Sequence, residues 1–289
     1  MIDRRIFIGG TLGVSLGVLL ADARASADET ADKFGALEKA IQGRLGVCIL
    51  DSAGGKRLSH RGDERFPLLS TFKALAAGCV LARVDRGEER LDRRVMYTQA
   101  EVLSYAPVAK LHVADGMTMA EICDAAVGLS DNTAGNLQLA SFGGPAGLTK
   151  WLRSIGDNVT RLDRTEPTLN EAKPGDLRDT TTPNAVAETW RKMLTGDALK
   201  SASQEQLADW LVNSKVGKTR LRAGLPPDWR VGDKTGTNDV GCANDVAITW
   251  PPGRTPLIIA SYLDHAGGAP QQRDAVHADV ARIAAAWRG

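Results

Sequence analysis

Apolar positions recur at helical spacing through most of the middle of the chain. They predict helices over 71–86, 119–127, 132–140, 145–154, 183–195 and 201–212. An N-terminal helix over 28–42 and a final amphipathic helix over about 274–287 follow from the same pattern. Apolar runs of strand length lie at 46–51, just before a Ser-Ala-Gly-Gly turn, and again at 229–237, 244–250 and 256–263. Strand material therefore sits at both ends of a helical middle. This order predicts an α/β fold of the α+β type: an antiparallel sheet built from both termini, flanked by helices, with a mostly helical insertion. The boundaries read as 26–66 with 223–289 for the sheet part and 67–222 for the helical part, which includes a loop over 161–179. A site is expected between the two parts.

The first residues break the pattern. Arg4-Arg5 precede a weakly apolar, Gly-rich run to Leu20, followed by Ala23-Arg24-Ala25 and Ala25-Ser26-Ala27. This reads as a cleaved export signal, residues 1–25 with an alternative cut after 27, and the paired arginines favour the twin-arginine route. The run from Ile6 to Leu20 is too short to span a bilayer comfortably, so a lasting membrane anchor is disfavoured. The expected location is the periplasm or the medium.

Composition narrows the classes further. With 289 residues, 43% hydrophobic, the chain can bury a large core, and its net charge of +1 argues against a nucleic-acid partner. Cutting after Ala25 removes three arginines and two aspartates, which leaves acids and bases balanced. The four cysteines permit disulfides without demanding them. Four histidines, His60, His112, His265 and His277, form no His-x-His cluster, so no catalytic metal or other cofactor is expected.

Four constellations carry candidate chemistry. Ser70 and Lys73 are spaced to share a helix face, where a lysine with a lowered pKa could take a serine proton. Such serines also cap helices. Ser130-Asp131-Asn132 could relay a proton and orient a carbonyl or a lysine, or could cap the helix that follows. Lys234-Thr235-Gly236 ends a strand run. Its lysine could hold an anion or depress the pKa of Lys73, its glycine would admit a substrate, and Thr237 N–H could join Ser70 N–H in an oxyanion hole. Glu166 and Asn170, in the charged, Pro-rich 161–179 loop, could hold a water between them. Arg161, Asp163, Arg164, Arg178 and Asp179 could tie that loop by ion pairs.

Ser-x-x-Lys, Ser-Asp-Asn and Lys-Thr-Gly in this order resemble the signature of active-site serine β-lactamases and penicillin-binding proteins. Glu166-x-x-Leu169-Asn170 is similar to the additional element of class A β-lactamases, and the likeness spans essentially the whole mature chain. The resemblance implies a monomeric hydrolase of penicillins and cephalosporins that confers resistance. It implies Ser70 as nucleophile, Lys73 and Ser130 in proton transfer, and Glu166 with Asn170 activating the deacylating water. It further implies Lys234, Thr235, Thr237 and Arg220 for the substrate carboxylate, Asn132 for its amide and Tyr105 as an aromatic wall. A cis Glu166–Pro167 bond is also implied.

The chain departs from familiar members at several positions. Cys123 matches half of a common disulfide, but Ala77 holds the partner position and Cys79 lies about 200° around the helix from it. Leu69 and Asn238 stand where carbapenem-hydrolysing members pair two cysteines. No arginine lies between Lys234 and Arg254, which leaves Arg220 for the carboxylate. Penicillin-binding transpeptidases and membrane-tied penicillin sensors share the serine and lysines. Glu166 with Asn170 argues against the first, and the short leader against the second.

Overall fold

The structure, a computed structural model, describes residues 32–287. The export segment lies outside the described residues. Helix α1, residues 32–41, leads into strand β1, Arg44–Asp51, and the edge strand β2, Arg57–His60. Strands β7 (Arg230–Thr237), β8 (Ala243–Trp250) and β9 (Leu257–Asp264) complete a five-stranded antiparallel sheet in the order β2-β1-β9-β8-β7. Alternation along β1 sends Val47 and Ile49 to one face and Cys48 and Leu50 to the other, and all four are buried. Apolar residues on both sides of one strand require cover on both faces.

Helix α9, Pro270–Ala286, covers the first face with α1: Phe34, Val280, Ala281 and Ala284 pack there with Val47 and Ile49. The opposite face packs against the helical middle, where Phe66, Phe72, Trp190 and Leu211 meet Leu50, Ile248 and Tyr262. That middle contains α2 (Phe72–Asp85), α3 (Met119–Gly128), α4 (Asn132–Ala140), α5 (Gly144–Ser154), α6 (Pro183–Leu194) and α7 (Ser201–Val212). Every residue of α2 from Phe72 to Ala82 is buried, so it is the central helix around which the others pack. Short paired strands β3 (Phe66–Pro67) with β6 (Thr180–Thr181), and β4 (Arg94–Val95) with β5 (Met117–Thr118), brace its surroundings. The one-turn helix α8, Leu221–Gly224, follows α7.

One expectation needs correction, and one strand was not anticipated. The last helix begins at Pro270, four residues before the apolar periodicity starts, because its first turn is polar and opens with proline, whose missing N–H suits that position. β2 escapes the hydrophobic pattern because its four residues alternate between exposed and half-buried at the sheet edge. Among the described residues no helix is long and apolar enough to cross a membrane.

Candidate active site

Ser70 lies in a 3-10 turn, Leu69–Thr71, that runs directly into α2, and its hydroxyl caps no helix. The turn is pinned from the sheet: Asn244 on β8 donates from Nδ2 to Pro67 O at 2.8 Å. Leu69 holds a left-handed φ of 48°, an unfavourable conformation for a bulky residue that the surrounding packing maintains. Gly236 on β7 faces this turn. A Cβ there would lie 2.8 Å from Leu69 Cβ and 3.1 Å from Ser70 N, so the glycine is required by the nucleophile turn itself.

One helical turn beyond Ser70, Lys73 is fully buried and its ammonium is surrounded by acceptors. It donates to Ser70 Oγ at 3.0 Å, Ser130 O at 2.8 Å and Asn132 Oδ1 at 2.6 Å. It also pairs with Glu166 Oε1 at 3.0 Å, and both side chains are wholly inaccessible. Burial lowers the pKa of Lys73, while the charges of Glu166 and Asp131 oppose the shift. Lys234, equally buried on β7, is pushed down to about 7, first by burial and then by repulsion from Lys73. Repulsion by the neighbouring cation thus shows in Lys234, whereas dryness moves Lys73. Lys234 Nζ donates to Ser130 Oγ at 3.0 Å and Thr235 O at 2.8 Å.

The Ser130-Asp131-Asn132 triplet divides its labour. Asp131 is the cap: its carboxylate accepts from Ala134 N on α4 and from Val108 N and Ala109 N, all at 2.9 Å. Ser130, at a left-handed φ of 58°, points its hydroxyl between the two lysines. Asn132 N donates to Tyr105 O at 3.0 Å, tying the half-exposed Tyr105 to the mouth of the cleft.

Glu166 enters from the 161–179 loop, with a cis bond to Pro167. Its Oε1 accepts from Ser70 Oγ at 3.2 Å and its Oε2 from Asn170 Nδ2 at 2.6 Å. The oxygen of the Asn170 amide is buried and has no protein partner. At the loop neck Arg164 Nε donates to Asp179 Oδ2 at 2.6 Å, and Asp179 Oδ1 accepts from Asp163 N and Arg164 N at 2.7 and 2.9 Å. Arg161 pairs with Asp163 at 2.5 Å. Arg178 pairs with Asp176 at 2.7 Å.

Ser70, Ser130, Asn132, Tyr105, Asn170, Arg220, Thr235, Gly236 and Thr237 line one cavity of about 510 Å³. Lys73, Glu166 and Lys234 lie beneath its floor, fully or almost fully buried. All twelve site residues singled out from the sequence are therefore brought together. Arg220 reaches across from α8 and donates to Gly236 O at 3.0 Å, Asn244 O at 2.8 Å and Thr237 Oγ1 at 2.7 Å. Asp274, at the start of α9, aims it by accepting from Arg220 Nε at 2.7 Å.

Sequence reasoning passes over Asp274, Asn244, Asn136 and the role of Asn238. Asn136 clamps the loop, its Oδ1 accepting from Glu166 N at 2.9 Å and its Nδ2 donating to Glu166 O at 3.0 Å. It lies one helical turn after Asn132, a spacing that could have revealed it. Asn238 Nδ2 donates to Asn170 O at 3.0 Å, which joins the strand end to the loop. No local pattern marks Asp274 or Asn244.

A serine bonded to a buried lysine, a second serine between two lysines and a carboxylate against the nucleophile define an active-site serine hydrolase. A sequence profile of the β-lactamase enzyme family matches residues 29–287. The chain belongs to that family, and its relatives and structural neighbours make it a class A serine β-lactamase. It is 47% identical to β-lactamase L2 of Stenotrophomonas maltophilia over 275 residues, covering 94% of this chain and 91% of that one. Identity to β-lactamase AST-1 of Nocardia asteroides is also 47%, over 87% of this chain and 81% of that one. The solved class A β-lactamase of the last common ancestor of Gram-negative bacteria superposes with a TM-score of 0.87. It is 58% identical, over 89% of this chain and 98% of that one. The putative class A enzyme PenP of Rhodopseudomonas palustris gives the same TM-score at 56% identity, over 89% of this chain and 98% of that one.

Proposed function

We propose that the protein hydrolyses the amide bond of penicillins and cephalosporins through a Ser70 acyl-enzyme, and so confers resistance to them. One observation carries the reading: Glu166 Oε1 stands 3.2 Å from Ser70 Oγ while Asn170 holds Oε2. A carboxylate in that position can activate a water against an ester on Ser70, which is what separates a hydrolase from a protein that merely stays acylated.

Ser70 Oγ attacks the lactam carbonyl as its proton passes to the buried base pair of Lys73 and Glu166. The N–H groups of Ser70 and Thr237 receive the oxyanion. Ser130, fed by the lysine ammonium groups on either side, gives a proton to the lactam nitrogen as the C–N bond breaks. Lys234, Thr235, Thr237 and Arg220 bind the substrate carboxylate. Asn132, whose oxygen is held by Lys73, offers its NH₂ to the side-chain amide, and Tyr105 walls the mouth. The unpartnered Asn170 oxygen and Glu166 then hold the water that cleaves the ester.

The enzyme acts as an exported monomer, delivered by the twin-arginine route with residues 1–25 removed. Its cleft is lined by residues of the helical part, 67–222, and by Thr235, Gly236, Thr237 and Asp274 of the sheet part. The test is benzylpenicillin turnover with intact-mass measurement, parent beside Glu166→Ala. Rapid loss of substrate by the parent and a stable adduct only on the variant support the reading. A stable adduct on the parent overturns it in favour of a penicillin-binding protein or sensor.

A further inference from the structure

Away from the catalytic cleft, the end of β9 meets the start of β8 in a cluster that the reaction does not use. One ligand atom each from Cys242, Asp264 and His265 lies within 4.8 Å of the others. Asp264 Oδ1 is the hub, 3.3 Å from Cys242 Sγ and 2.6 Å from His265 Nδ1. His265 turns its ring back onto Asp264 from a left-handed φ of 49°, a conformation that side-chain-bearing residues rarely adopt. We propose that Cys242, Asp264 and His265 form a non-catalytic binding site for a thiophilic divalent cation, zinc above all.

The donor set suits that ion: thiolate, imidazole and one carboxylate oxygen, with a water as fourth ligand, make a tetrahedral site. Ideal zinc bond lengths require ligand-to-ligand edges of about 3.3–3.6 Å. Cys242 to Asp264 already has that separation. His265 must withdraw slightly, and its side chain, 39% exposed, is free to do so and to admit the ion. On binding, the Cys242 thiol proton leaves to solvent, and the neutral imidazole coordinates through Nδ1.

The surrounding charge is compatible with a dication. Asp264 turns its other oxygen to Arg44 at 2.7 Å, Arg44 pairs with Glu64 at 2.9 Å, and Arg61 bridges Glu64 and Glu38 at 2.9 and 2.6 Å. Three carboxylates thus face two guanidinium groups. The remaining negative charge, with the thiolate, balances a divalent ion. Asn238 N donates to Cys242 O at 3.1 Å and Cys242 N donates to Asn238 Oδ1 at 3.0 Å, and Asn238 is the residue that anchors Asn170. An ion held here would fasten the turn at the strand end that meets the catalytic loop.

The experiment titrates the mature, reduced protein with Co²⁺ as a spectroscopic stand-in for zinc. The expected result is one equivalent bound with tetrahedral visible absorption and a sulfur-to-cobalt charge-transfer band, both abolished by one equivalent of Zn²⁺. Cys242→Ser should lose the charge-transfer band. His265→Ala, an exposed change that leaves the fold intact, should weaken Co²⁺ binding at least about tenfold. Circular dichroism confirms that both variants are folded. An aqueous-ion spectrum with the parent overturns the proposal. So does a charge-transfer band that survives Cys242→Ser, or parent-like affinity in His265→Ala.

Discussion

Two buried ion pairs flank the same loop and behave differently. At the neck, Asp179 is saturated by Arg164 and two backbone N–H groups, donors whose protons stay where they are. In the cleft, Glu166 receives Lys73, the Ser70 hydroxyl and the Asn170 amide. Two of those donors, an ammonium of lowered pKa and an alcohol, can give their protons away. Burial makes both pairs costly to break. What distinguishes them is whether the partners' protons can move: fixed donors make a clasp, and labile donors make a reaction centre.

The largest effect should come from the reactive pair. Lys73→Ala removes both the proton relay and the charge opposite buried Glu166, and acylation by benzylpenicillin should slow by about 10²–10⁴-fold in stopped-flow measurement. Unchanged acylation would erase the distinction between the pairs. Asp179→Asn breaks the clasp. Because the Arg164–Asp179 pair is 14% and 1% exposed, the loss should be about 3–5 kcal/mol in urea unfolding, with deacylation slowed as Glu166 shifts. A stable variant with normal turnover would show that the clasp is not needed to place Glu166.

Arg220→Ala should raise KM for benzylpenicillin by about 10–100-fold with a smaller change in kcat, the loss of a charge-assisted contact to the substrate carboxylate. Lys234 supplies a pH test. Its folded pKa, about 7, is far below the ordinary lysine value, so the cation is present below that pH and lost as pH rises through it. Carboxylate binding should weaken in the same direction, placing an alkaline limb near pH 7 in kcat/KM, with Lys234→Arg moving the limb upward. The smallest effect is expected for Arg178→Ala. That arginine and Asp176 form an ion pair at the loop surface, and the unfolding midpoint should not change measurably.

Much of this molecule is legible in one dimension. The Ser70 turn running into α2 with Lys73, the Asp131 cap of α4 and the Lys234 strand all follow from spacing within a short stretch of chain. Hydrogen bonding and side-chain period operate over only a few residues, so a sequence displays them directly. Three such local patterns in order were enough to identify the reaction class, and Glu166 with Asn170 to suggest how it ends.

Other features were settled only by folding. Ser70 could have been a helix cap until packing aimed its hydroxyl at Lys73 and Glu166. Gly236 is explained by a turn far away in the chain. Asp274 and Asn244 carry no pattern because their partners lie on other elements. Cys242, Asp264 and His265 meet only because β8 pairs with β9. Sequence spacing encodes contacts inside an element. The contacts between elements, which bury the charges and lower the lysine pKa values, exist only after the sheet has closed against the helices.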